Sequence, residues 1–119
     1  MLYSFIDPGP CQVLKVELKN DAYESQSSRD GIYKLSSTVN GRRSWTKSKS
    51  QAIWYVPEYT DWGIGSLEKI GGTLRGIASV ANNDVDDPQY IDPSKWKYYS
   101  DGAWRQGGND IIVECIEGI

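Results

Sequence analysis

The chain has 119 residues, enough for one domain around one hydrophobic core, and carries a net charge of −3 with no histidine. Without an imidazole it cannot build a Ser-His-Asp or Cys-His site from its own residues, and two cysteines without histidine do not make a zinc set. The acidic balance, the lack of a dense basic block and the lack of an apolar run of roughly 20 residues argue against a nucleic-acid partner and against a helical membrane span.

Residues 1–10, ending Pro8-Gly9-Pro10, are predicted as an extended N-terminal arm, and residues 11–119 as a single β domain. The arm shows neither the basic start nor the apolar stretch of a signal peptide. Localisation stays open between a cytoplasmic protein and a mature or excised extracellular domain. Cys11 to Leu18 reads as a strand with Leu14, Val16 and Leu18 on one face. Asn20 to Asp30 is polar and Ser-rich and reads as a loop. Gly31 to Ser36 resumes β character, and Asn40-Gly41 marks a two-residue hairpin returning through Arg43, Trp45 and Lys47. Arg42, Arg43, Lys47 and Lys49 form the most basic stretch, better read as a solvated hairpin than as a polyanion site.

Gln51 to Val56 is a strand stopped by Pro57, with Asp61 to Ile64 as its return. A short helix fits Ser66 to Ile70. Thr73 to Ala81 is read as strand against a competing helical spacing. Asn82 to Pro93 is an acidic loop with two Asp-Pro pairs. Trp96 to Ser100 and Ala103 to Gln106 flank a second hairpin turn at Asp101-Gly102, and Asp110 to Ile116 reads as a strand covered on both faces. Together these predict an all-β fold, a small antiparallel β-sandwich or barrel of about seven to nine strands with little or no helix.

Five Trp and eight Tyr, against one Phe and one Met, place the apolar mass in large rings that either fill a core or present a binding face. A two-residue turn at Asp101-Gly102 sets Lys97, Tyr99, Trp104 and Gln106 on one face and Trp96, Tyr98 and Arg105 on the other. One aromatic set enters the core and the other meets solvent or a partner. Trp54 and Trp62 repeat the spacing of Trp96 and Trp104, which suggests two similar hairpins. Glu58 and Asp61 bracket Tyr59, a pairing that a solvated turn explains as well as a hydrolytic site does. Gly63, Gly65, Gly71 and Gly72 fit turns and close strand packing better than phosphate binding.

Asn82, Asn83, Asp84, Asp86 and Asp87 cluster oxygen ligands of the kind Ca²⁺ takes, without the EF-hand spacing; no other cofactor is expected. Cys11 and Cys115 lie near opposite ends of the chain, and either a disulfide or two buried thiols suits their apolar runs.

The order Gly31-x-Tyr33, Asn40-Gly41-Arg42, Trp54-Tyr55, Trp62-x-Ile64-Gly65, Trp96-x-Tyr98-Tyr99 and Trp104 resembles that of small β-domains repeated in multidomain proteins of invertebrates and protists. The likeness runs over roughly residues 11–116 and departs at Arg43-Ser44-Trp45, where a Pro-x-Tyr is commoner. It implies a modular, non-catalytic domain. The expectation is a recognition module that uses Tyr59, Trp62, Tyr99 and Trp104, with Arg42 as polar partner, for a carbohydrate or a protein segment. The rival is an assembly domain that joins chains through edge strands or the Pro-rich arm without a small ligand, its oligomeric state open.

Overall fold

The computed structural model describes residues 10–80 and 85–118. Within them, nine antiparallel strands make one curled sheet, an all-β fold of small barrel or sandwich type. The strands are β1 (Cys11–Leu18), β2 (Gly31–Val39), β3 (Arg42–Lys47), β4 (Gln51–Val56), β5 (Asp61–Ser66), β6 (Ile77–Ser79), β7 (Trp96–Ser100), β8 (Ala103–Gln106) and β9 (Ile111–Gly118). β1 to β8 pair in chain order, and β9 returns to pair with β1. The two end strands of the sheet, β8 and β9, are therefore joined directly by the turn at 107–110. There the Gly107 N–H donates to the Trp96 carbonyl and the Asp110 N–H to that of Gly107.

Both predicted hairpin turns form as type I′. Asn40 and Gly41 have φ of 54° and 80°, and Asp101 and Gly102 have 51° and 79°, so each turn needs residues that accept a positive φ at both centres. The second turn sets Tyr99 opposite Trp104 and Lys97 opposite Gln106, the register read from the sequence. Alternation then divides the side chains. Leu14, Val16, Tyr33, Trp45, Ile53, Trp62, Ile64, Ile77, Trp96 and Ile111 fill the main core. On the other face of β4, Ala52, Trp54 and Val56 form a second cluster with Val39, Leu67 and Ile70, so β4 is buried at every position.

Several expectations change. The polar stretch read as a loop holds a helix, α1 (Asn20–Gln26), followed by a 3-10 turn at Ser27–Arg29. α1 buries only Ala22 and lacks a side-chain N-cap, so it leaves almost no amphipathic signal. It is held from outside: Tyr98 donates to Asp21 at 2.7 Å, Ser25 to Ser100 at 2.8 Å and the Gln26 amide to the Tyr99 carbonyl at 2.7 Å. The strand predicted over Thr73 to Ala81 shrinks to Ile77–Ser79, because the preceding residues fold back over the outer face of β4 and β5. The short helix expected near Ser66 to Ile70 is a 3-10 turn at Leu67–Lys69.

β9 is an edge strand rather than one covered on both faces, with Ile111 and Val113 inward and Ile116 exposed. The two Trp-Trp hairpins are not alike either. Both connections are of even length, so each hairpin carries its two tryptophans on opposite faces, but Trp54 is outward and Trp62 inward whereas Trp96 is inward and Trp104 outward. The predicted arm, apart from Pro10, lies outside the described residues. No helix among the described residues is long and apolar enough to cross a membrane.

Cys11 and Cys115 are joined by a disulfide that ties β1 to β9 across 104 positions. In the chain-entropy account a loop of that size contributes about 4–5 kcal/mol. Replacing both cysteines by serine is expected to lower the unfolding free energy by up to that amount in urea titrations, and adding a reductant to that double variant is expected to change nothing further.

Candidate functional site

The outer face of β5 presents Asp61, Gly63 and Gly65 at alternate positions, while Trp62 and Ile64 point into the core. The two glycines leave a trough, and the side chain of Arg75 lies in it. A Cβ on Gly65 would sit 3.0 Å from the Arg75 Cα, and one on Gly63 would sit 2.9 Å from the Arg75 Cδ. At the end of the trough, Arg75 Nη2 meets Asp61 Oδ2 at 2.9 Å, and Nη1 donates to the Thr73 carbonyl at 2.9 Å. The two side chains are 8% and 1% exposed. Asp61 is therefore not part of a solvated turn with Glu58, which is exposed.

The guanidinium of Arg75 lies against two exposed rings, 4.6 Å from the Tyr59 centroid and 5.4 Å from that of Trp104. Tyr99 meets Trp104 edge-on at 5.6 Å, and Lys97 Nζ lies 5.2 Å from the Trp104 ring. Tyr59, Tyr99 and Trp104 are 47, 43 and 39% exposed. They line a groove of about 590 Å³ with Arg29, Lys69 and Arg75, and Gln26 and Gly76 lie at its base. A Cβ on Gly76 would fall 2.1 Å from the Gln26 Oε1, so a side chain there would push the Gln26 amide aside.

Three of the five residues expected to form a ligand site are thus brought together: Tyr59, Tyr99 and Trp104. Trp62 is not among them. It is fully buried, packed against Trp45 and Tyr55, and its indole N–H donates to the Val85 carbonyl at 2.9 Å. It pairs with Tyr55 on the inward face shared by β4 and β5. Arg42 does not line the groove. Its guanidinium lies 4.0 Å over Tyr55, and Nη1 donates to the Val85 carbonyl.

Arg43 and Lys47 of the basic stretch are also engaged, and Lys49 is exposed. Arg43 makes a two-point ion pair with Asp87, and Lys47 donates to the Ser28 and Asp30 carbonyls. Of the residues proposed for Ca²⁺, Asn82, Asn83 and Asp84 lie outside the described residues. Asp86 is exposed, and Asp87 is buried in its pair with Arg43. Among the described residues no three carboxylate or thiol ligands gather as a metal set.

Arg75, Arg29 and Lys69 were not singled out from the sequence. The signal that points to Arg75 is the pair of outward glycines in Trp62-Gly63-Ile64-Gly65, since glycine inside a strand marks a place where other atoms come close. Compared with protein-family models, curated proteins and solved structures, the chain matches none of them.

Burial pushes the Asp61 carboxyl above the ordinary carboxylate range, while the charge of Arg75, its hydrogen bond and the charge of Lys97 pull it back. A raised value in the folded state means that the folded protein holds this proton more tightly than the unfolded chain. The contribution is then complete below the ordinary carboxylate value and is lost as pH rises through the raised one. Desolvation outweighs attraction, so the pair positions Arg75 at a cost in stability. Thermal unfolding between about pH 3 and pH 7 is expected to show the native protein losing ground against Asp61→Asn as pH rises through the carboxylate range. A growing advantage of the native protein would contradict it.

Proposed function

We propose that the chain is a non-catalytic recognition module whose groove at Tyr59, Tyr99 and Trp104 binds a carbohydrate. The observation that carries this reading is the convergence of three exposed rings from separate elements, the 57–60 turn, β7 and β8, on one groove around a buried arginine. Exposed Trp and Tyr faces stack on the C–H faces of sugar rings, and fixed polar groups beside them orient the hydroxyls.

A second reading rests on β8. It is an edge strand exposed along all four residues, and it offers its free backbone edge to an added strand of a partner chain. In that case the chain is an assembly domain, and light scattering is expected to show a stable oligomer.

A glycan-array screen followed by calorimetry separates the two. Tyr99→Ala and Trp104→Ala are each expected to weaken sugar binding by about tenfold, equivalent to ~1.4 kcal/mol, with the unfolding midpoint nearly unchanged. Trp62→Ala is expected instead to cost about 3–5 kcal/mol of stability, as a core deletion. Full binding by the Tyr99 and Trp104 double variant would sink the carbohydrate reading.

A further inference from the structure

The groove is basic in a chain that is acidic overall. Three cations line it, Arg29, Lys69 and Arg75, and no carboxylate among the described residues does so; a fourth, Lys97, stands against the Trp104 ring. Asp61 is paired with Arg75, lies buried beneath it and also feels the charge of Lys97, which leaves Arg29 and Lys69 as the cations it does not offset. Glu58 and Glu68, the chain neighbours of Tyr59 and Lys69, are exposed and do not line the groove.

Two of these cations carry unused donors. Arg75 Nε and Arg29 Nε are buried without a hydrogen-bond partner among the described residues, as is the Oδ1 of Asp61 beside Arg75, although these side chains are otherwise engaged. Arg75 bonds through its two terminal nitrogens, and Arg29 through Nη1 to Ser28 Oγ and Gln51 Oε1 at 3.0 and 2.8 Å. An anion placed among these cations makes charge-assisted hydrogen bonds about twice as strong as neutral ones with their accessible donors, Lys69 Nζ foremost. Arg75 is also held in place before any ligand arrives, by the glycine trough and the two rings, so little ordering is lost on binding.

The geometry points to an acidic saccharide as the ligand: a sugar whose ring stacks on Trp104 and Tyr99 and whose carboxylate or sulfate oxygens meet Arg75, Arg29 and Lys69. This rests on the carbohydrate reading above and narrows it by charge. Carboxylate and sulfate share the chemistry that the groove selects, and the choice of probe tells them apart.

Calorimetric titrations with trigalacturonate, a sulfated galactotriose and uncharged galactotriose test it. At least one acidic trisaccharide is expected to bind about tenfold or more tightly than galactotriose, and raising NaCl from about 50 mM to about 500 mM is expected to erase most of that advantage. Lys69→Gln, a substitution at an exposed position, is expected to weaken the acidic ligand several-fold more than it weakens galactotriose. Arg75→Gln is expected to remove the preference altogether. Equal binding of the neutral and acidic sugars would overturn the charge inference and leave the carbohydrate reading standing. Silence with all three sugars would overturn both.

Discussion

An arginine buried to within 8% of full coverage has to be met by a counter-charge, and the outer face of β5 is organised around that requirement. Asp61, Gly63 and Gly65 occupy every second position, so one strand supplies both the room for the Arg75 stem and the carboxylate at its end. Once Arg75 lies in this trough, the path of residues 67–76 is set. The segment must fold back over β4 and β5, and in doing so it covers Trp54, Ala52 and Val56 with Leu67 and Ile70. The same placement puts a cation between Tyr59 and Trp104, two rings far apart in the chain, and so makes a groove out of a turn and an edge strand.

The aromatic composition has a second consequence. Three of the buried tryptophans use the indole N–H to hold a segment of backbone outside their own hairpin. Trp45 donates to Cys11 at the start of β1, Trp54 to Gly72 in the covering segment and Trp62 to Val85 in the acidic loop, each at 2.9 Å. A phenylalanine would fill the same space without tying down a loop, which accounts for a chain rich in Trp and nearly devoid of Phe. Tyr33 acts similarly, donating to the Arg29 carbonyl beside the groove at 2.7 Å. The core thereby fixes the elements that carry the site, and the disulfide secures the strand pair at the end of the sheet.

The strands and hairpins were legible because their signals are local. Period-two alternation marked β1, Pro57 marked the end of β4, and Asn40-Gly41 and Asp101-Gly102 named their turn type outright. The same logic put Tyr99 and Trp104 on one exposed face. What could not be read depends on contacts between distant segments. α1 is polar and is held by side chains on β7, Trp62 faces inward because the core covers the face of β4 and β5 that it shares with Tyr55, and Arg75 owes its place to glycines ten and twelve residues earlier in the chain. The aromatic half of the site was thus visible in the sequence and the basic half was not, since exposed rings announce themselves by excess and a buried cation does so only through the space left for it.

The arginine side-chain N–H region of a ¹⁵N-correlated NMR spectrum tests the placement of Arg75 most directly. A guanidinium held between Tyr59 and Trp104 and shielded from solvent is expected to give a resolved, ring-shifted Nε–H signal that exchanges slowly with water. That signal should move toward the position of exposed Arg105 when Trp104 is replaced by alanine. An Arg75 signal that already coincides with exposed arginine and exchanges as fast would contradict the trough, and with it the groove as the organised feature of this face.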